Sequence, residues 1–352
     1  MTEPSLLHRR DTLPDGFLEA APEDLHRLFS GPTLIHLDGA AERPLFIALL
    51  QHGNETSGLT AVQRLLSAPG DTPLPRPVTL FVANIEAARA GVRRLDHQPD
   101  YNRCWPGTEE PPCPETRMMA AIIEEMTPRR PLAAIDLHNT TGTNPIHAGL
   151  NVLDDQNLQL AARFARTAVH FTRPRGAMPA AFAGVCPSLI LECGTPGDLV
   201  GLAAADDFLQ QCLRLEAVPE QPPASGELEL FESTAIVFVP DGIRVAFGDD
   251  RQAELVLRDD IDEWNFRELA AGTVFGRTRG PHWPVRALAP DGREVTAELF
   301  EIETDRLRLR RAMMPGLLTG DARIIRQDCL CYLMERVARI PGSSDPHSTT
   351  PL

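Results

Sequence analysis

Three apolar runs of the chain end in residues that can hold a cation and move a proton. Residues 44–50 (Pro44 to Leu50) lead into His52-Gly53-Asn54-Glu55, residues 132–137 lead into His138, and residues 188–191 lead into Glu192. A buried strand that ends in a histidine and a glutamate three residues apart can present an imidazole nitrogen and a carboxylate oxygen to one point. Zinc hydrolysis needs three protein ligands, commonly two histidines and a carboxylate, and one open position for water. It also needs a carboxylate beside the metal to accept the water proton and return it to the leaving group. His52, Glu55 and His138 can supply the ligands, and Glu192 the base. In open α/β sheets ligands bind beyond the carboxyl ends of the strands, so separation along the chain is no obstacle.

Each residue also has a plainer reading. A single histidine at a strand end is usually just hydrogen-bonded, and H-x-x-E arises by chance. The reading rests on four such residues, each following an apolar run. Asp136 can orient a ring nitrogen from outside the ligand set or be a surface carboxylate, and both remain open. His147 is a spare ligand candidate; the other histidines lack this setting. Gly53 would let the chain turn sharply so that Glu55 returns to the same metal; Gly58, Gly194 and Gly197 suit turns nearby.

The elements that must position these groups follow from the apolar pattern. Strands are expected at 33–37, 44–50, 78–83, 132–137, 148–153, 167–171 and 187–192. Helices are expected at 56–68, 114–126, 155–166 and 198–216, with Thr56 or Ser57 capping the first and Glu115 in the first turn of the second. Short apolar runs alternating with helices predict an α/β domain, a mixed or parallel sheet flanked by helices, over residues 1–217. A proline-rich connector at 218–226 precedes a smaller, mainly β domain at 227–338. Its alternating segments are 227–239, 242–247, 253–257, 285–288, 295–302 and 307–309. Residues 339–352 have no periodicity and are expected to be disordered.

The 352 residues carry a net charge of −15, which argues against nucleic acid or an anionic membrane surface as partner. No apolar run approaches the ~20 residues of a membrane span. The first ten residues lack the basic-then-apolar order of a secretion signal, so a cytoplasmic location is expected. Seven cysteines at irregular positions form no C-x-x-C pair and are expected to be reduced.

His52-Gly53-Asn54-Glu55-Thr56, Asn84-Ile85-Glu86-Ala87, Asp100-Tyr101-Asn102-Arg103, Asp136-Leu137-His138-Asn139-Thr140-Thr141 and Leu191-Glu192-Cys193-Gly194, in that order, resemble the succinylglutamate desuccinylase/aspartoacylase family. The resemblance implies a zinc carboxypeptidase-like fold and hydrolysis of an N-acyl amino acid. It implies one zinc (Zn2+) per chain on His52, Glu55 and His138, with Glu192 as general acid/base. It places Asn102 and Arg103 on a substrate carboxylate, where a guanidinium fork pairs bidentately. It also puts Asn139 and Thr140 at the substrate, and implies an arginine that polarises the scissile carbonyl, with Arg93 or Arg94 as counterpart.

Two departures stand out. The stretch between Arg93 and Asp100 is about two residues longer than the family pattern, around His97-Gln98-Pro99, which leaves Arg93 against Arg94 open. A second carboxylate-binding arginine, about ten residues before the catalytic glutamate in aspartoacylase-like members, has no counterpart in Ala180 to Gly184. The nearest upstream are Arg173 and Arg175. An apolar wall near Phe182 is expected instead, with a substrate unlike a two-carboxylate amino acid. The expected function is thus a zinc-dependent deacylase acting on a small N-acyl amino acid or related amide. The rivals are a carboxypeptidase-like metallopeptidase and a non-catalytic ligand-binding relative. The sequence leaves the oligomeric state undetermined.

Overall fold

The structure, a computed structural model, describes residues 6–67, 73–250, 252–280 and 282–338. The segment 339–352, expected to be disordered, lies outside the described residues. The chain forms two compact units. The first is built from residues up to Asn139 together with Ile146–Leu230, and the second from Thr140–Pro145 together with Phe231–Val337.

The strands of the first unit are β1 (His8–Arg10), β2 (Thr33–Leu37), β3 (Leu45–Leu49), β4 (Val78–Val82), β5 (Ala133–His138), β6 (His147–Leu150), β7 (Thr167–His170) and β8 (Ser188–Glu192). They lie in the order β1-β2-β4-β3-β5-β8-β6-β7. The central pairs β4/β3, β3/β5 and β5/β8 are parallel, while β2/β4 and β6/β8 are antiparallel, so the sheet is mixed. Every residue of β3, β4 and β5 is buried. That explains why their sequences are continuous apolar runs: such strands are covered on both faces.

The covering helices are α1 (Ser57–Leu66), α2 (Ile85–Ala90), α3 (Pro114–Met126), α4 (Asp155–Phe164), α5 (Met178–Phe182) and α6 (Leu199–Arg214). On one face α1 lies so close that a Cβ on Gly58 would meet the Leu137 side chain. On the other, Phe46, Ala48, Phe81 and Ala134 pack with Trp105, Phe182 and the α3 residues Met118, Met119, Ile122 and Met126. Alternate residues of each strand therefore serve different helical layers.

The expected α/β architecture is present, with local differences. β6 begins at His147 and stops at Leu150, because the chain then turns towards Asp154, which caps α4 by accepting from Asn157 N. Helices α2 and α5 are too short to show a 3.6-residue period. Neither Thr56 nor Ser57 caps α1 with its side chain; Asn139, 82 residues away, accepts from the Ser57 N–H.

The second unit contains β9 (Glu229–Phe238) from Phe231 onward, β10 (Val245–Phe247), β11 (Leu255–Leu257), β12 (Val274–Thr278), β13 (Arg286–Leu288), β14 (Phe300–Glu303), β15 (Arg306–Leu309), β16 (Met314–Gly316) and β17 (Cys331–Arg336). β13 and β17 pair antiparallel with β9, β16 pairs with β17, and β10-β11-β12-β15-β14 form a five-stranded sheet. Phe275, Phe300, Leu255, Val237 and Leu333 are among its core residues. Residues 295–302, read as one strand, begin instead as a helical turn. Val295 and Leu299, four apart, are both buried, and the Leu299 N–H donates to Val295 O at 3.1 Å. β12, β16 and β17 were not anticipated from the alternation.

Candidate metal centre and active site

The carboxyl ends of β3, β5 and β8 lie side by side. Leu49 is in register with Leu137, and His138 with Glu192. Past β3 the chain bends at Leu50, a buried leucine with φ of 56°, a conformation that costs a non-glycine residue about 1–3 kcal/mol. The bend carries Gln51 and His52 over the sheet edge. Gly53 then rests on α2: a Cβ there would lie 2.1 Å from the Ala87 carbonyl carbon. The requirement at this glycine is close backbone approach, rather than the sharp turn expected from the sequence.

The two histidine rings meet at one carboxylate. His52 Nδ1 lies 2.8 Å from Glu55 Oε1, and His138 Nδ1 lies 2.7 Å from Glu55 Oε2. The Asn139 N–H donates to Glu55 Oε2 at 3.1 Å. Ligand atoms of His52, Glu55 and His138 all fall within 4.8 Å of one another, and all three residues are buried. The far ring nitrogens also face carboxylates. His52 Nε2 is 3.0 Å from Asp100 Oδ1, and His138 Nε2 is 2.9 Å from Asp136 Oδ2. Asn102 Nδ2 is 3.3 Å from that same His138 nitrogen; an amide nitrogen only donates, so the two neighbours call for opposite tautomers, and the nearer, charged carboxylate is the one that places the proton on Nε2. Asp136 therefore faces the ring of His138, and of its two sequence readings the surface one is excluded by its complete burial.

This donor set fits a divalent cation. A neutral imidazole has one N–H, so it can satisfy a carboxylate on one side only. With each Nε2–H directed at a carboxylate, each Nδ1 turns a lone pair towards Glu55. That contact is repulsive unless a second proton or a metal ion lies there. Outer carboxylates of this kind fix the tautomer and orientation of metal-binding histidines. The buried charge points the same way: Glu55, Asp100 and Asp136 face the two rings, with Arg93 the guanidinium beside them.

The ionisation directions follow. Burial opposes charge on both rings. At His138 the Asp136 and Glu55 carboxylates outweigh it and hold the ring well above the usual imidazole value. At His52 burial and Arg93 oppose protonation, yet Glu55 and Asp100 raise it. Glu55 is held far below the usual carboxylate range by the two rings, against its burial. Glu192 moves the other way. Burial pushes it up to about 7, opposed by His138 and assisted by the Glu55 charge. The Glu192 residue is partly exposed, but its Oε2 is enclosed and makes no hydrogen bond.

The remaining expected site residues separate. Arg93 is buried, 2.9 Å from Asp100 Oδ2 and 3.6 Å from Glu55 Oε1. The Arg94 guanidinium donates to Gln98 O. Asn102 accepts from the Met178 N–H through Oδ1, with its amide nitrogen at His138. Arg103 is partly buried and donates to Asn102 O. The Asn139 side chain is committed internally: Oδ1 takes the Ser57 N–H, and Nδ2 donates to Ser57 Oγ and Gly194 O. It ties α1 to the turn after Glu192. The Thr140 hydroxyl donates to Gly142 O. His147 sits opposite Glu192 across the β6/β8 ladder, outside the metal-ligand group. Phe182 does not form a wall of the site. It is fully buried against Phe46, with ring centroids 4.7 Å apart, and Trp105.

Sequence reasoning assigned no role to Asp100 or Gln51. Gln51 extends a run of wholly buried residues, and a polar side chain in such a run must have a partner; that signal was available.

The fold and site together define an α/β protein with a two-histidine, one-carboxylate cluster at the ends of parallel strands. Residues 45–180 match the succinylglutamate desuccinylase/aspartoacylase catalytic domain, so the family resemblance read from the motifs is shown for that segment. Glu192 lies just beyond it. No curated protein matches the chain in sequence. Solved structures share the fold at low identity. A succinylglutamate desuccinylase from Chromobacterium violaceum is 17% identical, with 86% of this chain and 87% of that one covered at a TM-score of 0.55. A succinylglutamate desuccinylase from Vibrio parahaemolyticus is 14% identical, with 87% and 86% covered at 0.57. Murine aminoacylase 3 is 16% identical, with 85% and 97% covered at 0.54. Among the described residues, no helix is long and apolar enough to cross a membrane.

Proposed function

We propose that the chain is a zinc-dependent deacylase that hydrolyses the amide of an N-acyl amino acid or a related small amide. The observation that carries this reading is the convergence of His52 and His138 Nδ1 on Glu55, with His138 in register with a glutamate on the neighbouring strand that burial pushes up to about 7. His52, Glu55 and His138 would hold one zinc per chain. When bound, zinc supplies a Lewis acid that polarises a carbonyl and lowers the pKa of water towards ~7.

The chain's own groups do the rest. Glu192 accepts a proton from water and delivers it to the departing nitrogen, a role suited to a carboxyl that changes charge near neutrality. Arg93 rather than Arg94 brings a guanidinium to the cluster, where it can stabilise negative charge developing on the carbonyl oxygen. Arg103 offers its fork to a substrate carboxylate. Asn102 and Asn139 act by positioning, the first by accepting from the Met178 N–H and the second at the turn after Glu192. The free thiols of all seven cysteines support a reducing, cytoplasmic location.

The test is a turnover screen of zinc-loaded protein across acetyl-, succinyl- and longer acyl-amino acids, with peptides beside them. The reading expects hydrolysis of at least one acyl-amino acid, lost on chelation and restored by zinc. Preferential release of C-terminal residues from peptides would replace it with the peptidase reading. Stoichiometric zinc without any turnover would replace it with a binding protein.

A further inference from the structure

A hydrogen-bonded chain leads from the aromatic core to Asp136, whose carboxylate lies against His138. Trp105 is fully buried, edge-on to Phe46 and Phe81 with interplanar angles of 89° and 90°. Its indole N–H donates to Gln51 Oε1 at 2.7 Å, and Gln51 Nε2 donates to Asp136 Oδ2 at 2.6 Å. Gln51 and Asp136 are also wholly buried. Asp136 Oδ2 is the oxygen 2.9 Å from His138 Nε2.

Each link has one permitted direction. An indole nitrogen only donates, so Gln51 must turn its carbonyl oxygen to Trp105. The amide NH2 must then face Asp136, which can accept it only as an acceptor. A carboxylate so held presents an acceptor to His138 Nε2, which places the ring proton there and the lone pair on Nδ1. Without the indole, the buried Gln51 oxygen would lose its donor, and the amide that faces the carboxylate would lose its anchor in the core.

We infer that Trp105 and Gln51 are positioning residues for the metal centre: Trp105 fixes the Gln51 amide, and Gln51 fixes the Asp136 carboxylate that holds His138 with Nδ1 towards the zinc. This inference rests on the proposed zinc site. It assigns function to two wholly buried residues, one of them inside the hydrophobic core.

The test compares zinc affinity, by competition with a chromophoric chelator, in wild type, Gln51→Met, Trp105→Phe, the double variant and Phe182→Leu. Phe182→Leu disturbs the same aromatic cluster, including the packing on the Trp105 ring, but removes no hydrogen-bonding group of the polar chain. Removing an outer partner of a metal-binding histidine weakens metal affinity by about 10–100-fold, and for these more remote groups the expected loss is about tenfold. Gln51→Met and Trp105→Phe should each show it, the double variant should lose little beyond Gln51→Met, and Phe182→Leu should bind as wild type does. The visible spectrum of the cobalt-loaded protein should shift in the first two variants and stay fixed in Phe182→Leu. Affinity within twofold of wild type in folded Trp105→Phe overturns the inference, even if Gln51→Met fails to fold. An equal loss in Phe182→Leu also overturns it, since packing alone would then explain the effect. A wild-type protein that takes up no zinc removes the metal centre itself, and the relay with it. Tight wild-type binding with unaffected variants removes the relay alone.

Discussion

Two arginine–aspartate pairs show how differently the two units use the same side chains. In the second unit Arg258 and Asp260 meet at 2.6 Å with side chains 54% and 45% exposed. In the first, Arg93 and Asp100 meet at 2.9 Å with side chains 7% and 8% exposed. The exposed pair exchanges water for a partner at nearly no gain. The buried pair has surrendered its hydration, so each charge depends on the other, and Asp100 also depends on His52. The pairs Arg286–Glu294 and Arg293–Glu298 of the second unit are likewise solvent-exposed. Charge in that unit decorates a β core; charge at the strand ends of the first is enclosed and directed at one point.

The comparison can be broken most severely at Glu192. Glu192→Gln keeps the shape but cannot carry a proton, and should lower kcat by ~10²–10⁴ while zinc content stays at one per chain. Near-wild-type turnover in the metal-loaded variant would end the general-base assignment. Next comes Asp100→Ala, which takes the nearer of two carboxylates from buried Arg93 and the outer partner from His52. Chemical denaturation of the metal-free protein should show a loss of about 3–5 kcal/mol, the usual cost of breaking a buried pair from one side. The smallest effect belongs to Arg258→Ala, whose denaturation midpoint should coincide with that of wild type. Equal losses at Asp100 and Arg258 would erase the distinction between the two pairs.

The cluster of His52, Glu55 and His138 was legible because these residues follow apolar runs, and a parallel sheet turns such runs into neighbouring strand ends. The register of His138 with Glu192 is the physical form of that pattern. What surrounds this cluster was not legible. Asp100 reaches His52 across 48 residues, and Gln51 reaches Asp136 across 85. No local period encodes such contacts. Phe182 was misplaced for a related reason: a phenylalanine near the glutamate strand reads equally as pocket wall or core, and its stacking on Phe46 depends on a strand more than 130 residues earlier. In the second unit, β16 and β17 were missed because Met314–Gly316 is too short to alternate and Cys331–Arg336 is buried over its first four residues. Arg93 and Arg94 read alike in the sequence; in the structure Arg93 is buried beside Glu55 and Arg94 is partly exposed.

The most direct test of the account is elemental analysis of the purified protein beside His138→Ala and Glu192→Gln. The account predicts about one zinc per chain in wild type and in Glu192→Gln, and a substoichiometric amount in His138→Ala. Wild-type protein that binds no divalent metal, or His138→Ala protein that binds it as tightly as wild type, would contradict it.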